Sequence, residues 1–242
     1  MQLYPVAGAK FYVGPAVNLV PDDTDITVAN FATDTYLEVK GWQTMGSFGD
    51  TSALITEQVI SQQRDVKGKG TRNAGSMANN FLVLPTDAGQ LAMIAAAQTD
   101  YNYKFKLLMD DAAPALLSVV TMTIATPGVI SWANHGLVAG TPVKFSTTGA
   151  LPTGLTAGTT YYVVNPTTSA FSVAATPGGS AIATSGTQSG VHTAITAPTG
   201  TIKYFYGIVM SSNEQGGGAN TSRVMACVTE INSAIITVPA VG

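Results

Sequence analysis

Two stretches of the chain alternate between apolar and other side chains. In residues 101–109 every second residue is apolar: Tyr101, Tyr103, Phe105, Leu107 and Met109. Residues 202–210 repeat this pattern with Ile202, Tyr204, Tyr206, Ile208 and Met210. Because successive side chains of a β-strand point to opposite faces, a period of two predicts two half-buried strands. We expect these to be the two strands of one hairpin.

Shorter runs of β-branched and aromatic residues, bounded by turn residues, predict further strands. They cover residues 9–13, 36–42, 52–61, 81–84, 223–231 and 234–238. Pro85 ends one of them, and Thr86 is suited to cap a helix that starts there. One face of this helix holds Ala88, Leu91, Ala92 and Ala95, and we expect that face to pack on a sheet. The predicted fold class is therefore mainly β with one packed α-helix.

A basic segment separates the predicted strands at residues 52–61 and 81–84. Residues 64–80 are rich in Gly, Asn and Ser and poor in apolar side chains, which predicts a long loop. The loop has one acidic residue, Asp65, and four basic ones: Arg64, Lys67, Lys69 and Arg72. From the residues alone, the pattern favours a loop that stays solvated and flexible. The alternative is a loop that orders between subunits, where its basic residues face acidic residues such as Asp22, Asp23, Asp25 or Glu57.

The composition changes between Val119 and Pro198. The only charged side chain of that segment is Lys144, whereas Thr, Ser, Gly and Ala abound and aromatic and aliphatic residues recur. This pattern predicts a small all-β module rather than a disordered linker. Because hairpin tips tolerate inserted domains, we place the module at the tip of the predicted hairpin. The chain then divides into a discontinuous domain, residues 1–114 and 200–242, and an inserted domain, residues 115–199.

Charge and composition narrow the classes of function. Charged residues make up only 10% of the chain and the net charge is −3, which argues against binding nucleic acid by neutralising phosphates. The sequence has no apolar run long enough to span a membrane, and because its start lacks the basic and long apolar regions of a signal peptide, we expect none there. The single cysteine, Cys227, lies in a predicted strand and is expected to be buried and inert. We expect a soluble protein kept in a reducing compartment.

Patterns that carry catalysis or bind metals are weak in this sequence. His135 and His192 are 57 residues apart with no acidic residue between them, which suits neither a catalytic triad nor a zinc site. The acidic run at Asp22, Asp23 and Asp25 lacks the spacing and the glycine of a calcium-binding loop. We therefore expect no enzymatic activity, no catalytic residue, no metal and no cofactor.

Several motifs outside the inserted module occur in a characteristic order. Between Trp42 and Ala97 they include W-Q-T-M-G-S-F-G-D, I-T-E-Q-V-I-S-Q-Q-R-D-V-K-G-K-G-T-R-N-A-G-S-M and P-T-D-A-G-Q-L, followed later by I-K-Y-F-Y-G-I-V-M-S-S. This combination resembles the major tail tube proteins of phages with long, non-contractile tails. The inserted module, through H-G-L-V-A-G-T-P-V and G-A-L-P-T-G-L-T-A-G-T-T-Y-Y-V-V, resembles small all-β modules of phage structural proteins.

The resemblance implies a β-sandwich or half-barrel packed on one helix, six copies per ring, and rings stacked into a tube that conducts the genome. It implies a place in the virion tail after assembly in the host cytoplasm. The partners implied are copies of the chain itself and other tail proteins such as the tape measure and terminator proteins, with DNA only in transit and no specific DNA binding. Subunit interfaces would hold Arg64, Lys67, Lys69 and Arg72.

Stacking around a clear channel would also require the inserted module to project outward. Six copies at −3 each would give a ring a net charge of −18, and an acidic lumen would repel the phosphates of DNA.

The inserted module suggests an alternative function as an adhesin for cell-surface glycans. Aromatic faces stack on sugar rings, and the module offers Trp132, Tyr161 and Tyr162 for such contacts if they are exposed. The competing interpretation assigns these aromatic residues to the core of the module.

Overall fold

The structure is a computed structural model and describes residues 3–241. It is mainly β, with 43% of the residues in strands and 5% in helices, which confirms the predicted fold class. The chain forms two compact units. One unit ends at Asp110 and resumes with Ile202–Val238, and the other comprises Asp111–Thr201 together with the residues that follow Val238.

The first unit contains the two helices of the described residues and ten strands. In chain order these are β1 (Lys10–Val17), α1 (Ala29–Ala32), β2 (Leu37–Glu38), β3 (Trp42–Thr44), β4 (Thr51–Glu57), β5 (Val66–Asn73), β6 (Ser76–Leu82), α2 (Ala88–Ala96) and β7 (Asn102–Leu108). After the second unit, which holds β8 to β13, the first unit continues with β14 (Ile202–Gln215), β15 (Val224–Ile231) and β16 (Ile236–Val238).

Eight of these strands form one sheet in the order β2-β1-β7-β14-β15-β6-β3, with β16 pairing on β14. The two alternating stretches of the sequence are the antiparallel neighbours β7 and β14, in a register that places Phe105 opposite Phe205. The predicted pairing is therefore confirmed. The stacked rings of these two residues, with centroids 5.3 Å apart, lie in a core that also includes Phe11, Phe81 and Met77.

Helix α2 packs on this core with a different face and a different cap from those predicted. Asp87, not Thr86, is the N-cap, because its carboxylate accepts a hydrogen bond of 2.9 Å from the backbone N–H of Gln90. The buried residues are Gly89, Gln90, Met93 and Ala96 rather than the predicted Ala88, Leu91, Ala92 and Ala95. Gly89 explains the change, since a Cβ there would overlap the carbonyl oxygen of Glu38, so only glycine allows this close approach.

The short helix α1 lies in a stretch that reads as a polar connection in the sequence. Its one buried side chain, Phe31, stacks on Tyr204 at 5.1 Å and packs against Tyr206 at 4.8 Å. Beside it, the Nζ atom of Lys104 lies 2.6 Å from a carboxylate oxygen of Asp34. This second, smaller aromatic cluster covers the sheet at β14.

The second unit is a closed barrel. Its strands are β8 (Leu117–Met122), β9 (Ile130–Ser131), β10 (Pro142–Thr147), β11 (Thr160–Val164), β12 (Ala170–Ala174) and β13 (His192–Thr196). They close in the order β10-β11-β12-β9-β8-β13 around a core that includes Val143, Phe145, Val163 and Phe171. The junctions expected from the sequence lie at 114/115 and 199/200.

Candidate subunit interface

The segment expected to be a long loop is largely a β-strand. Strand β5 pairs antiparallel with β4, and β6 begins at Ser76, so the loop prediction for residues 64–80 is wrong. Together, β4, β5 and the residues between them form a two-stranded hairpin, residues 51–73, which we call the arm. The two arm strands form a sheet of their own.

The arm is open to solvent on both faces. Every residue from Thr51 to Asn73 is exposed except Gly70, which is half-buried. A two-stranded hairpin is at best marginally stable in water unless one of its faces is covered. The exposed arm is therefore a segment that another protein surface would stabilise by covering one of its faces.

The base of the arm is held by the first unit. The N–H of Gly49 donates to the carbonyl of Ala74, and the hydroxyl of Thr51 donates to the carbonyl of Asn73. The side chain of Asn73 accepts a hydrogen bond of 2.8 Å from the N–H of Gly75, whose φ of +81° favours glycine. Because Ala74 and Met77 are buried directly after the arm, its base is anchored in the core of the first unit, whereas the arm itself stays exposed.

The K-G-K-G sequence of β5 gives the arm two chemically different faces. Alternating strand residues point to opposite faces, so Lys67 and Lys69 share one face while Gly68 and Gly70 share the other. Residues directly opposite each other in the pairing also share a face. Lys67 lies opposite Thr56 and Lys69 opposite Leu54, which places all four side chains on what we call the basic face.

Three of the four basic residues predicted for the interface lie on the basic face. The third is Arg72, which lies three residues after Lys69 but returns to this face because the pairing shifts register between Ser52 and Leu54, so that Arg72 lies opposite Ser52. Arg64 lies outside the strands, in the turn between β4 and β5. The salt bridges found among residues 3–241 join Lys10 to Glu38, Lys104 to Asp34 and Arg223 to Glu214, so they include none of these four basic residues.

The opposite face of the arm, which we call the apolar face, is built around Ile55. Ile55 lies opposite Gly68, and Ala53 and Ile55 are the nearest neighbours of Gly70 across the hairpin. Val66 extends the apolar face toward the tip, where it lies opposite Glu57. Ile55 and Val66 are 48% and 47% exposed. The glycines beside them have no side chains, which leaves room for another surface to come close.

The tip of the arm is also apolar. Val59 and Ile60 are both exposed, and the side chain of Ile60 is fully so. A turn follows, closed by a 2.9 Å hydrogen bond from the N–H of Gln62 to the carbonyl of Val59. Exposed aliphatic side chains at such a tip are typical of contact surfaces.

The acidic residues expected to face the basic segment lie in two separate places. Glu57 belongs to the arm itself, on its apolar face. Asp22, Asp23 and Asp25 lie between β1 and α1, and the carboxylate of Asp23 accepts a 2.7 Å hydrogen bond from the N–H of Ala234. Among the described residues, the acidic run therefore forms no ion pair with the arm.

Two of the three aromatic residues proposed for glycan contact are buried, so their assignment to an exposed sugar-binding surface is wrong. Trp132 packs beside Phe171 in the barrel core, with the ring centroids 6.5 Å apart. Tyr161 is in the same core, and its hydroxyl accepts a 2.8 Å hydrogen bond from the N–H of Thr156. Tyr162 points the other way on β11 and is half-buried. The barrel core uses these aromatic rings because a unit of this size needs large apolar side chains to fill it.

Both histidines are buried in the barrel unit. The Nδ1 atom of His135 accepts a hydrogen bond from the N–H of Leu137, and its ring packs edge-on against Phe171. The ring nitrogens of His192 lie 2.9 Å from the hydroxyl of Thr147 and 3.1 Å from the amide oxygen of Gln188. Both ring nitrogens of His192 therefore have partners within the barrel, whereas the buried Nε2 atom of His135 has no hydrogen-bond partner among the described residues.

The cysteine lies in a setting that suppresses its reactivity. Cys227 is buried and its thiol donates to the hydroxyl of Ser212, while burial raises the pKa of the thiol and keeps it protonated. Within residues 3–241 no cluster of three His, Cys, Asp or Glu side chains is placed to hold a metal ion. In the same range no helix is long and apolar enough to cross a membrane.

Comparison with models of known protein families gives no match, and comparison with curated protein sequences gives none either. The arm is the candidate site with the strongest physical basis because both of its faces are exposed and chemically different. The alternation of Lys and Gly in β5 indicates a strand, but a search for alternating apolar residues does not detect it.

Proposed function

We propose that the chain is a structural subunit that assembles with copies of itself, and that the assembly is the stacked-ring tail tube of a phage. The observation that carries this proposal is the arm, a hairpin whose two faces are both exposed and chemically distinct. A second copy would cover the arm and supply the contacts that a two-stranded sheet lacks.

The basic face supports an interface between protein surfaces. Lys67, Lys69 and Arg72 lie on one side of a narrow hairpin without an acidic partner among the described salt bridges. The chain as a whole is acidic, with a net charge of −3, so the surface of a second copy offers more acidic than basic groups. Opposite charges on two docking surfaces speed the encounter and fix its register.

The resemblance to tail tube proteins gives this assembly its proposed form and purpose. Rings, six copies each, would stack into a conduit through which DNA passes without being held. A net negative charge on every subunit fits a lumen that repels phosphates. In this proposal the chain has no catalytic role, the inserted barrel projects from the tube wall, and tape measure and terminator proteins are further partners in the tail.

The proposal is tested with two variants that lose the same charge. One replaces Lys67, Lys69 and Arg72 with Ser and so removes the basic face. The matched control replaces Lys10, Lys144 and Arg223 with Ser, three basic residues outside the arm. Sedimentation velocity and negative-stain microscopy then measure the fraction of each protein that forms rings or tubes.

We expect the wild type and the control to form tubes, and the arm variant to stay a folded monomer with an unchanged melting temperature. The melting temperature of the arm variant is expected to stay unchanged because exposed side chains without hydrogen bonds or ion pairs contribute little to stability. Normal tubes from the arm variant would remove the basic face from the interface. A wild type that stays monomeric at every concentration would overturn the proposed function.

A further inference from the structure

Helix α2 is apolar on its outer face as well as its inner one. No charged residue occurs between Asp87 and Asp100, which flank the helix. While one face is buried against the sheet, Leu91 and Ile94 remain 52% and 39% exposed on the other. A helix on a protein surface normally shows polar residues to solvent, and a helix that is apolar all round is normally covered.

Neighbouring residues extend this apolar surface beyond the helix. A groove of about 490 Å³ runs beside the start of α2, where Leu37, Leu84 and Ala88 line it together with the polar residues Glu38, Lys40, Thr86 and Asp87. Leu37 and Leu84 are both exposed. We call the five apolar residues Leu37, Leu84, Ala88, Leu91 and Ile94 the outer helix surface.

We infer that the outer helix surface receives the apolar face of the arm from a second copy of the chain. This inference rests on the proposed self-assembly and names the surface that covers the arm. Both surfaces are aliphatic: Ala53, Ile55 and Val66 on one side would meet the leucines and the isoleucine on the other. Gly68 and Gly70 keep the arm thin, so that its backbone can lie close to the helix.

The charges of the two segments are also complementary. Residues 51–73 contain four basic and two acidic side chains, a net charge of +2. Residues 84–100 contain two aspartates and no basic side chain, a net charge of −2. With the apolar face in contact, Glu57 would lie at the contact and the basic residues of β5 on the other side of the same thin hairpin, so the attraction acts through the net charge of the arm. The attraction would favour contact of the outer helix surface with an arm. Contact between two outer helix surfaces would bring like negative charges together.

The test changes the outer helix surface without touching the core of the first unit. Leu91→Lys places a charge at the centre of the surface, and Leu19→Lys is the matched control at a residue that is 83% exposed. We expect Leu91→Lys to raise the concentration needed for assembly by about tenfold or more, because a lysine buried in an apolar contact loses its hydration. The control is expected to stay within about twofold of the wild type.

Cross-linking identifies the occupant of the surface. The double variant Ile55→Cys/Leu91→Cys is expected to form disulfide-linked chains under mild oxidant only when assembled, and neither single variant should do so. Buried Cys227 stays in place, and the single variants control for it. The cross-link of the double variant also tests the inference if Leu91→Lys lowers the melting temperature.

The outcomes separate the inference from the proposed function. Tubes from Leu91→Lys at the wild-type concentration, together with no cross-link in the double variant, would overturn the inference and leave self-assembly standing. Efficient cross-linking of Leu91→Cys alone would show that two outer helix surfaces meet, which would also overturn it. A wild-type chain that never assembles would overturn both.

Discussion

Gln90 provides the strongest single test of how the first unit is held together. Its side chain is buried under α2 and makes three hydrogen bonds to the backbone. Its amide oxygen accepts from the N–H of Leu84 at 2.9 Å, and its amide nitrogen donates to the carbonyls of Lys40 at 2.8 Å and Leu82 at 2.7 Å. One side chain thus joins the helix to two separate segments of the chain.

The substitution Gln90→Glu keeps the size of this side chain and removes its donors. At neutral pH two carboxylate oxygens would replace the amide, so the carbonyls of Lys40 and Leu82 would each lose a partner and face a negative charge. A buried polar group left without its partner costs about 1–3 kcal/mol, so the two together predict a loss of about 2–6 kcal/mol in the free energy of unfolding. For a unit of this size, the loss corresponds to a drop of roughly 4–24 °C in melting temperature.

Calorimetry of the full chain measures this drop, and Gln98→Glu is the matched control. Gln98 is exposed just beyond the helix, so the control should change the free energy of unfolding by no more than about 1 kcal/mol. In Gln90→Glu, burial and the two carbonyls would raise the pKa of the new carboxyl group in the folded state above the value of about 4.3 that it has when unfolded. A raised carboxyl pKa makes the loss full at neutral pH and relieves it as the pH falls toward about 4, because the protonated acid can donate one hydrogen bond. An equal melting temperature of variant and wild type at neutral pH would refute this account of Gln90.

Three further predictions concern other parts of the two units. Asp34→Asn should lower the free energy of unfolding by about 1–3 kcal/mol in calorimetry, since it leaves the largely buried ammonium of Lys104 without its carboxylate; no loss would mean that the pair is as weak as an exposed one. Trp132→Ala should destabilise the barrel by about 3–5 kcal/mol in denaturant unfolding, because it empties part of a core; an unchanged unfolding curve would contradict the assignment of Trp132 to that core. Burial, with the charge of Asp34, raises the pKa of Tyr36, so the stability of the first unit should be full below about pH 10 and fall as the pH rises further; ultraviolet titration showing an ordinary phenol pKa for Tyr36 in the folded chain would contradict this.

Two strands of the main sheet could be predicted from the sequence because apolar side chains recur in them with a period of two. This period identifies β7 and β14 as strands and as neighbours. The predicted half-burial of β14 is wrong, because Phe205 lies in the main core while Tyr204 and Tyr206 are buried in the aromatic cluster on the other face. The composition of residues 119–198 likewise indicates a separate all-β module, and these residues form the barrel. Local periodicity is sufficient where a strand has one buried face.

The arm and helix α2 show where that reasoning is insufficient. Strand β5 has no buried face within the chain, so its pattern is Lys and Gly rather than apolar and polar, which is also the pattern of a loop. In α2 nearly every position is apolar or small, and the periodicity cannot choose a face. The close approach of Gly89 to Glu38 and the hydrogen bonds of Gln90 decide it, and both depend on tertiary structure.

The aromatic residues of the barrel show a similar limit. Tyr161 and Tyr162 are adjacent in the sequence and of identical type, yet Tyr161 is buried and Tyr162 is half-buried. Strand alternation requires one of the two to point inward, but it does not say which one. In the closed barrel Tyr161 is the one that points inward, where it lies in the core with Phe145 and Phe171.

Hydrogen exchange of the arm in the free and assembled states shows whether another copy of the chain covers it. Residues 51–73 are exposed on both faces in the single chain and would be covered by another copy in the assembly. We expect arm peptides to exchange rapidly in the monomer and about 100-fold or more slowly in rings or tubes, while peptides from β7 and β14 stay protected in both. Arm peptides that exchange equally fast in monomers and in assembled particles would contradict the account.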